Sequence, residues 1–243
     1  MPEGPSIIIL KEEVQPFLKK KIIAVSGNSK IEKERMLNKK IIAFRSWGKQ
    51  FFICFDDFSL RIHFLLFGSY LVNEDKEATP RLRLEFDNGF INLYSCSVKF
   101  IEESLDDMYD EEVDIMSEKW NASKAEKYLL AHPDMLVADA LLDQNVFSGS
   151  GNIIKNEVLF RTKIHPANKI KDFPEEKLLE MIAETRIYAF DFLRWKKQFV
   201  LRKHWLAHTK KICVECGGNI TKKYLGKTNR RTFFCENCQV KYD

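Results

Sequence analysis

The 243-residue chain has no apolar run of membrane-spanning length; stretches such as Ile7–Leu10 and Phe51–Phe55 fall far short of the roughly 20 residues a bilayer requires. Its opening, MPEGPS, lacks the basic n-region and apolar h-region of a secretory signal, so a cytosolic setting is the expectation. Six cysteines are too few to staple a chain of this length as a disulfide scaffold. There is no internal repeat and no low-complexity tract. With 45% hydrophobic and 12% aromatic residues the chain can pack a core, which excludes a disordered or collagen-like protein. The length suits one large domain or two modest ones.

Charge is present but unevenly spread, and the net value of +4 conceals this. Residues 101–119 hold nine acids and one lysine, whereas 194–243 hold thirteen lysines and arginines against three acids. A concentrated basic half is the footprint of a protein that holds a polyanion; an ordinary solvated surface is the plain alternative.

After an amphipathic stretch over Ile7–Lys20, short runs alternate apolar and polar positions: Ile41–Phe44, Phe51–Phe55, Leu60–Phe64, Tyr70–Val72, Leu82–Phe86 and Phe90–Tyr94. Turn signals at Trp47-Gly48, Asp56-Asp57, Gly68-Ser69 and Asp87-Asn88-Gly89 punctuate them. The pattern predicts a β-sandwich or barrel-like unit with the first helix packed against it. The acidic segment 102–118 reads as a linker or an exposed helix cap. Helical spacing follows over Lys124–Ala131, Asp134–Asn145, Ile153–Phe160, Glu175–Glu184 and Phe190–Leu206, with Pro133, Pro166 and Pro174 at helix starts or breaks. The chain is therefore expected to be α+β, divided as 1–115, 116–208 and 209–243.

Four of the cysteines form two pairs, Cys213-x2-Cys216 and Cys235-x2-Cys238, separated by eighteen residues. That spacing fits a four-cysteine zinc site: each CxxC turn puts two thiolates on one side of a knuckle, and two knuckles complete a tetrahedron. One structural Zn2+ is expected, with the intervening residues forming a β-hairpin whose tip lies near Gly226. A redox role would need only one CxxC. The hairpin carries Lys222, Lys223, Lys227, Arg230 and Arg231 beside Tyr224, Phe233 and Phe234, a mixture suited to nucleic acid. A zinc ribbon of a transcription or translation factor would look the same. Cys54 and Cys96 read as buried small apolar residues.

At the other end stands Met1-Pro2-Glu3. If Met1 is removed, Pro2 becomes a secondary α-amine; an α-amino group has a pKa near ~7.7–8, so a usable fraction is neutral at pH 7 and can attack an aldehyde-like carbon. With Met1 attached, the same nitrogen is an unreactive amide. Glu3 supplies a carboxyl for proton transfer at that carbon. Proline at position 2 is common, and alone it carries no function.

MPEGP, a strand-borne Gly48-Lys49, the segment LLDQNVFSGSGNIIKNEVLF (141–160) and the terminal CxxC…RTFFCENCQ occur in that order. Together they resemble the formamidopyrimidine-DNA glycosylase/endonuclease VIII family of bifunctional base-excision repair enzymes, over essentially the whole chain. The resemblance implies an N-terminal β-sandwich catalytic domain with flanking helices. It further implies a C-terminal helix–two-turn–helix domain bearing a zinc-finger hairpin, with damaged double-stranded DNA between the domains. It implies a monomer, at work on the nucleoid in the cytoplasm of a bacterium. It also implies the chemistry: a flipped-out base, attack by the Pro2 nitrogen on C1′, a Schiff base, and β,δ-elimination. Residue by residue, Pro2 matches the nucleophile and Glu3 the proton-transfer carboxylate. Lys49 matches a phosphate-contacting proton donor, and Asn152 the asparagine that holds phosphate at a helix N-terminus. Arg230 matches the zinc-finger arginine, with Arg231 one position out of register. Outside this framework Lys49 would be an ordinary surface lysine and Asn152 an ordinary helix cap.

Gly4, the Leu93–Ser97 segment and the short span between Arg194 and Cys213 tilt the resemblance toward the endonuclease VIII branch and oxidised pyrimidines. Leu65, Leu66 and Phe67 look like that branch's apolar wedge, which fills the space left by the flipped base; core packing is the competing explanation. Three departures stand out: Ser6 where the family usually has a second glutamate, Leu65 where a polar wedge residue is common, and LAHTKKIC without the usual Arg-x-Gly-x-x-Cys. They bear on lesion preference and rate rather than on reaction class. The alternatives are an enzyme for oxidised purines or abasic sites, and a lesion-binding protein without glycosylase activity.

Overall fold

The computed structural model describes residues 2–242. The chain forms two compact units, Met1–Asp110 and Glu111–Asp243.

The first unit contains α1 (Gly4–Glu13), β1 (Ala24–Ser26), β2 (Ala43–Trp47), β3 (Gln50–Cys54), β4 (Ser59–Val72), β5 (Leu82–Phe86), β6 (Gly89–Ile101) and the short α2 (Leu105–Met108). The strands make one antiparallel sheet in the order β1-β5-β6-β4-β3-β2. The runs Leu60–Phe64 and Tyr70–Val72 belong to one strand, and Gly68-Ser69 is a bulge within it rather than a turn. Phe64 pairs with Cys96 and Ser69 with Tyr94, so residues 65–68 lie opposite Ser95 alone. A Cβ on Gly68 would come within 2.8 Å of the Ser95 carbonyl oxygen, and Ser95 itself takes φ +46°. Such a bulge bends and twists the strands that carry it. Phe51, Ile53, Leu60 and Ile62 from one half of the sheet share a core with Leu82, Leu84, Ile91 and Leu93 from the other, and with Ile7 and Leu10 of α1. The two layers expected of a sandwich are thus supplied by one continuous hydrogen-bonded sheet.

The second unit contains α3 (Ala122–Leu130), α4 (Val137–Ala140), α5 (Asn152–Arg161), α6 (Glu175–Lys197) and the hairpin β7 (Thr221–Leu225)–β8 (Arg230–Phe234). The helix expected over Asp134–Asn145 shrinks to α4. Asp143 Oδ1 accepts from the Asn145 amide and Gln144 Nε2 donates to the Leu142 carbonyl, local bonds that compete with a helical ladder. The stretches Glu175–Glu184 and Phe190–Leu206 fall largely on one helix, α6, which ends before Phe199 enters the left-handed region at φ +59°. Residues 209–243 do not stand apart. Gln239 Nε2 donates to the Ile164 carbonyl at 2.9 Å and the Val240 amide to the Lys163 carbonyl at 2.8 Å, fastening the last cysteine knuckle to the end of α5. Hence there are two units rather than three, and the boundary falls inside the acidic segment. No helix among the described residues is long and apolar enough to cross a membrane.

Candidate active site and nucleic-acid interface

The sequence-derived residues fall on both units. In the first, Pro2 is half-buried, and Glu3 is the extended N-cap of α1 (φ −111°, ψ 171°) with only 2% of its surface exposed. The Glu3 carbonyl accepts from the Ser6 amide at 2.8 Å, so the chain turns into helix immediately behind the candidate nucleophile. Met1, whose removal would free that nitrogen, lies outside the described residues. Helix α1 packs on β2 and β3. Between those strands Trp47 pairs with Gln50, which leaves Gly48-Lys49 as a two-residue turn with Gly48 at φ +54°. The first position of a II′ hairpin favours glycine for this reason. Lys49 is therefore carried on a turn rather than in a strand. Its charge reaches His63, opposite Gln50: burial foremost, then Lys49 and Arg61, hold the imidazole pKa below its ordinary value.

Leu65, Leu66 and Phe67 are 51, 52 and 84% exposed. They sit in the bulge of β4 closed by Gly68, exposed to solvent, and they are not core residues.

In the second unit, α5 begins at Asn152 behind Gly151, which offers no side-chain cap. Asn152 Nδ2 donates to the Arg231 carbonyl at 2.8 Å. One turn on, Lys155 is fully buried and donates to Thr232 Oγ1 at 2.8 Å, while Asn156 Oδ1 accepts from the Phe233 amide at 3.2 Å. Positions 152, 155 and 156 lie on one face of a helix. Together they seat β8 so that its backbone at Arg231 meets the positive end of α5, and Arg230 and Arg231 are both exposed. Glu157, also fully buried, accepts from the amides of Leu206, Ala207 and His208 at 2.7–3.0 Å and so anchors the strap leading to the cysteines. Burial pushes its pKa up, against the pull of those three amides. Sequence reasoning missed Lys155, Asn156 and Glu157. The available signal was three consecutive polar residues inside an otherwise apolar helix.

His208 faces Asn156 at 2.9 Å, and its pKa is held down to about 4, first by burial and then by the charges of Lys155 and Arg231. Below its ordinary 6.5 the unfolded chain takes up a proton that the folded protein refuses. Stability is therefore full above that value and falls as pH drops toward 4, by up to about 3 kcal/mol from this ring. Acid denaturation of His208→Gln is expected to show a flatter slope between those limits; an unchanged slope would assign the acid sensitivity elsewhere.

The sulfurs of Cys213, Cys216, Cys235 and Cys238 all lie within 4.8 Å of one another, with Cys213–Cys238 at 3.8 Å and Cys216–Cys235 at 3.5 Å. A tetrahedron with metal–sulfur bonds of ~2.3 Å has edges of about 3.8 Å, so the group fits a metal ion. The Gly218 amide donates to Cys216 Sγ at 3.4 Å, which favours the thiolate, and Gly217 makes the turn at φ +72°.

Comparison with known proteins agrees with this geometry. The profile of the formamidopyrimidine-DNA glycosylase N-terminal domain matches residues 1–100, and that of the formamidopyrimidine-DNA glycosylase H2TH domain matches residues 112–187. Endonuclease 8-like 3 of Mus musculus is 35% identical over 201 residues, 79% of this chain and 33% of that protein. Endonuclease 8-like 2 of Bos taurus is 33% identical over 196 residues, 74% of this chain and 58% of that protein. The chain thus spans about a third to a little over half the length of these relatives. Among solved structures, a Lactococcus lactis formamidopyrimidine-DNA glycosylase bound to DNA containing an AP site superimposes with TM-score 0.87 at 20% identity, covering 98% of this chain and 100% of that one. A viral DNA glycosylase gives 0.84 at 21% identity with the same coverage. Two profiles in the right order, and a shared fold along the length, place this chain in the formamidopyrimidine-DNA glycosylase/endonuclease VIII family.

Proposed function

We propose that the protein is a bifunctional DNA glycosylase/AP lyase that removes oxidised bases, pyrimidines in preference, from duplex DNA. The observation that carries the reading is the seating of β8 on the N-terminal turn of α5. Two exposed arginines lie on the strand whose backbone meets that positive helix end at Arg231, an arrangement suited to backbone phosphates. The Lactococcus lactis relative, held on AP-site DNA, uses the same fold.

With Met1 removed, the Pro2 nitrogen bonds to C1′ as the glycosidic bond breaks, and the base departs with a proton. Opening of the sugar ring gives an iminium, an electron sink next to C2′. Loss of a C2′ proton expels the 3′ phosphate, and loss of a C4′ proton then expels the 5′ phosphate. Glu3, buried beside Pro2, moves protons at the anomeric centre. Lys49 on its turn contacts phosphate and donates a proton. Leu65, Leu66 and Phe67 enter the space vacated by the base, and their contacts offset part of the few kcal/mol that unstacking costs. Zn2+ held by the four cysteines would brace the hairpin and takes no part in the chemistry.

Borohydride added during reaction with an abasic duplex is expected to trap a covalent adduct. Arg230→Ala should keep that adduct and its full metal content. Its DNA binding and its δ-elimination product should fall about tenfold, the worth of one charge-assisted hydrogen bond, with a shallower salt dependence. Metal loss in that variant would make Arg230 structural instead. Ser6, buried in the first turn of α1 where the family usually has glutamate, favours a second reading, a lesion binder without glycosylase action. Tight lesion binding with no trapped adduct would establish it.

A further inference from the structure

The hairpin that carries Arg230 and Arg231 is held at two places, and only one of them is the α5 face. The other is its tip. The Lys227 amide donates to Asp139 Oδ2 at 2.9 Å, and Thr228 Oγ1 donates to Asp139 Oδ1 at 3.5 Å. Gly226, at φ +73°, lies so close that a Cβ there would fall onto the same carboxylate. Asp139 is the third residue of α4, a position from which an acid ordinarily reaches back to cap its own helix. Here the carboxylate instead bonds a backbone amide 88 residues along the chain.

Little apolar packing shares this duty. Residues 227–229 are exposed, and a cavity of about 1040 Å³, walled by Met135, Leu136, Leu142 and Asn145, opens beside the tip. A tip flanked by a cavity on one side and solvent on the other is placed by its hydrogen bonds, not by shape. Arg230 begins β8 directly after the tip residue Asn229, whose amide donates to the Gly226 carbonyl at 3.1 Å. A displacement at 226–229 is therefore passed to the arginine with no intervening residue.

We propose that Asp139 is a positioning residue, a clamp on the hairpin tip that sets where Arg230 meets the DNA phosphates. The inference rests on the lyase reading above but concerns a residue whose carboxylate bonds the hairpin tip. It predicts coupling to Arg230, which a purely structural contribution would lack. Asp139→Ala is expected to weaken binding of an abasic-site duplex and lower the δ-to-β product ratio, each roughly tenfold, with adduct trapping and metal content retained. In an Arg230→Ala background the same substitution should add almost nothing. Asp139→Asn, which keeps the shape and one acceptor, should fall between wild type and Asp139→Ala. Gly226→Ala should reproduce the loss by pushing that carboxylate aside, and in an Asp139→Ala background it should add little, because the clamp is already gone.

Additive effects in the Asp139/Arg230 double variant, or Asp139 variants indistinguishable from wild type, would overturn the clamp. Poor folding of Asp139→Ala would leave Asp139→Asn and Gly226→Ala to carry the same cycle. A wild-type protein that neither traps nor incises abasic DNA would instead refute the lyase reading itself, so the two failures are distinguishable.

Discussion

A chain that retains Met1 is expected to yield no trapped adduct on abasic-site DNA and to lose incision by about a thousandfold or more, the scale seen when a covalent nucleophile is removed. The reason is electronic. An α-amine near its pKa of ~7.7–8 keeps a lone pair available at neutral pH, whereas an amide nitrogen shares its pair with the carbonyl. The comparison needs two preparations of one sequence, trimmed and untrimmed, with mass spectrometry to assign the N-terminus. Chemical blocking of the trimmed amine should reproduce the defect. DNA affinity should change far less than incision, because the arginines proposed to grip phosphate belong to the other unit. Equal incision by both preparations would remove Pro2 from the mechanism and leave Glu3 without its proposed task.

Cys235→Ser is expected to produce the second largest effect: loss of bound metal, and lesion-DNA binding weaker by about a hundredfold as the arginine hairpin loosens. In metal-braced modules, binding of the ion contributes folding free energy directly, on the order of 10–16 kcal/mol for isolated zinc-finger peptides. The loss here should be smaller than in an isolated finger. Lys155, Asn156 and Gln239 also tie the segment to α5 and the residues after it, through Thr232 Oγ1, the Phe233 amide and the Ile164 carbonyl. Metal analysis with titration of a labelled abasic duplex would measure both consequences. A variant with one equivalent of metal and unchanged affinity would show that the cysteines do not brace the hairpin.

The parts of the site that were legible in the sequence share a property. The cysteine pairs are defined by near neighbours, where spacing alone constrains geometry, and the structure gathers their sulfurs within 4.8 Å of one another. The hairpin tip at Gly226 was legible for the same reason, and the structure places it between β7 and β8. The strand runs and three of the four turn signals coincide with the structure, and Gly68-Ser69 is the exception. Gly68 looks like a turn residue, yet it serves a bulge, where a Cβ would meet Phe64 Cβ at 2.7 Å and the carbonyl of Ser95 on the neighbouring strand at 2.8 Å. At Gly48 the turn signal holds, and the difference is that Lys49, expected on a strand, is carried on that turn.

Sequence by itself determined the family, the α+β order and the four-cysteine cluster, since each depends on residue identity and local spacing. Tertiary structure alone decided that Leu65, Leu66 and Phe67 face solvent, that Asn152 meets Arg231, and that a buried lysine, asparagine and glutamate hold the arginine hairpin and the strap before the cysteines. Those contacts join residues roughly fifty to eighty positions apart. An apolar trio can pack inward or project outward with the same sequence, and a polar side chain can cap, solvate or clamp. The choice is made by the partner that folding brings to it.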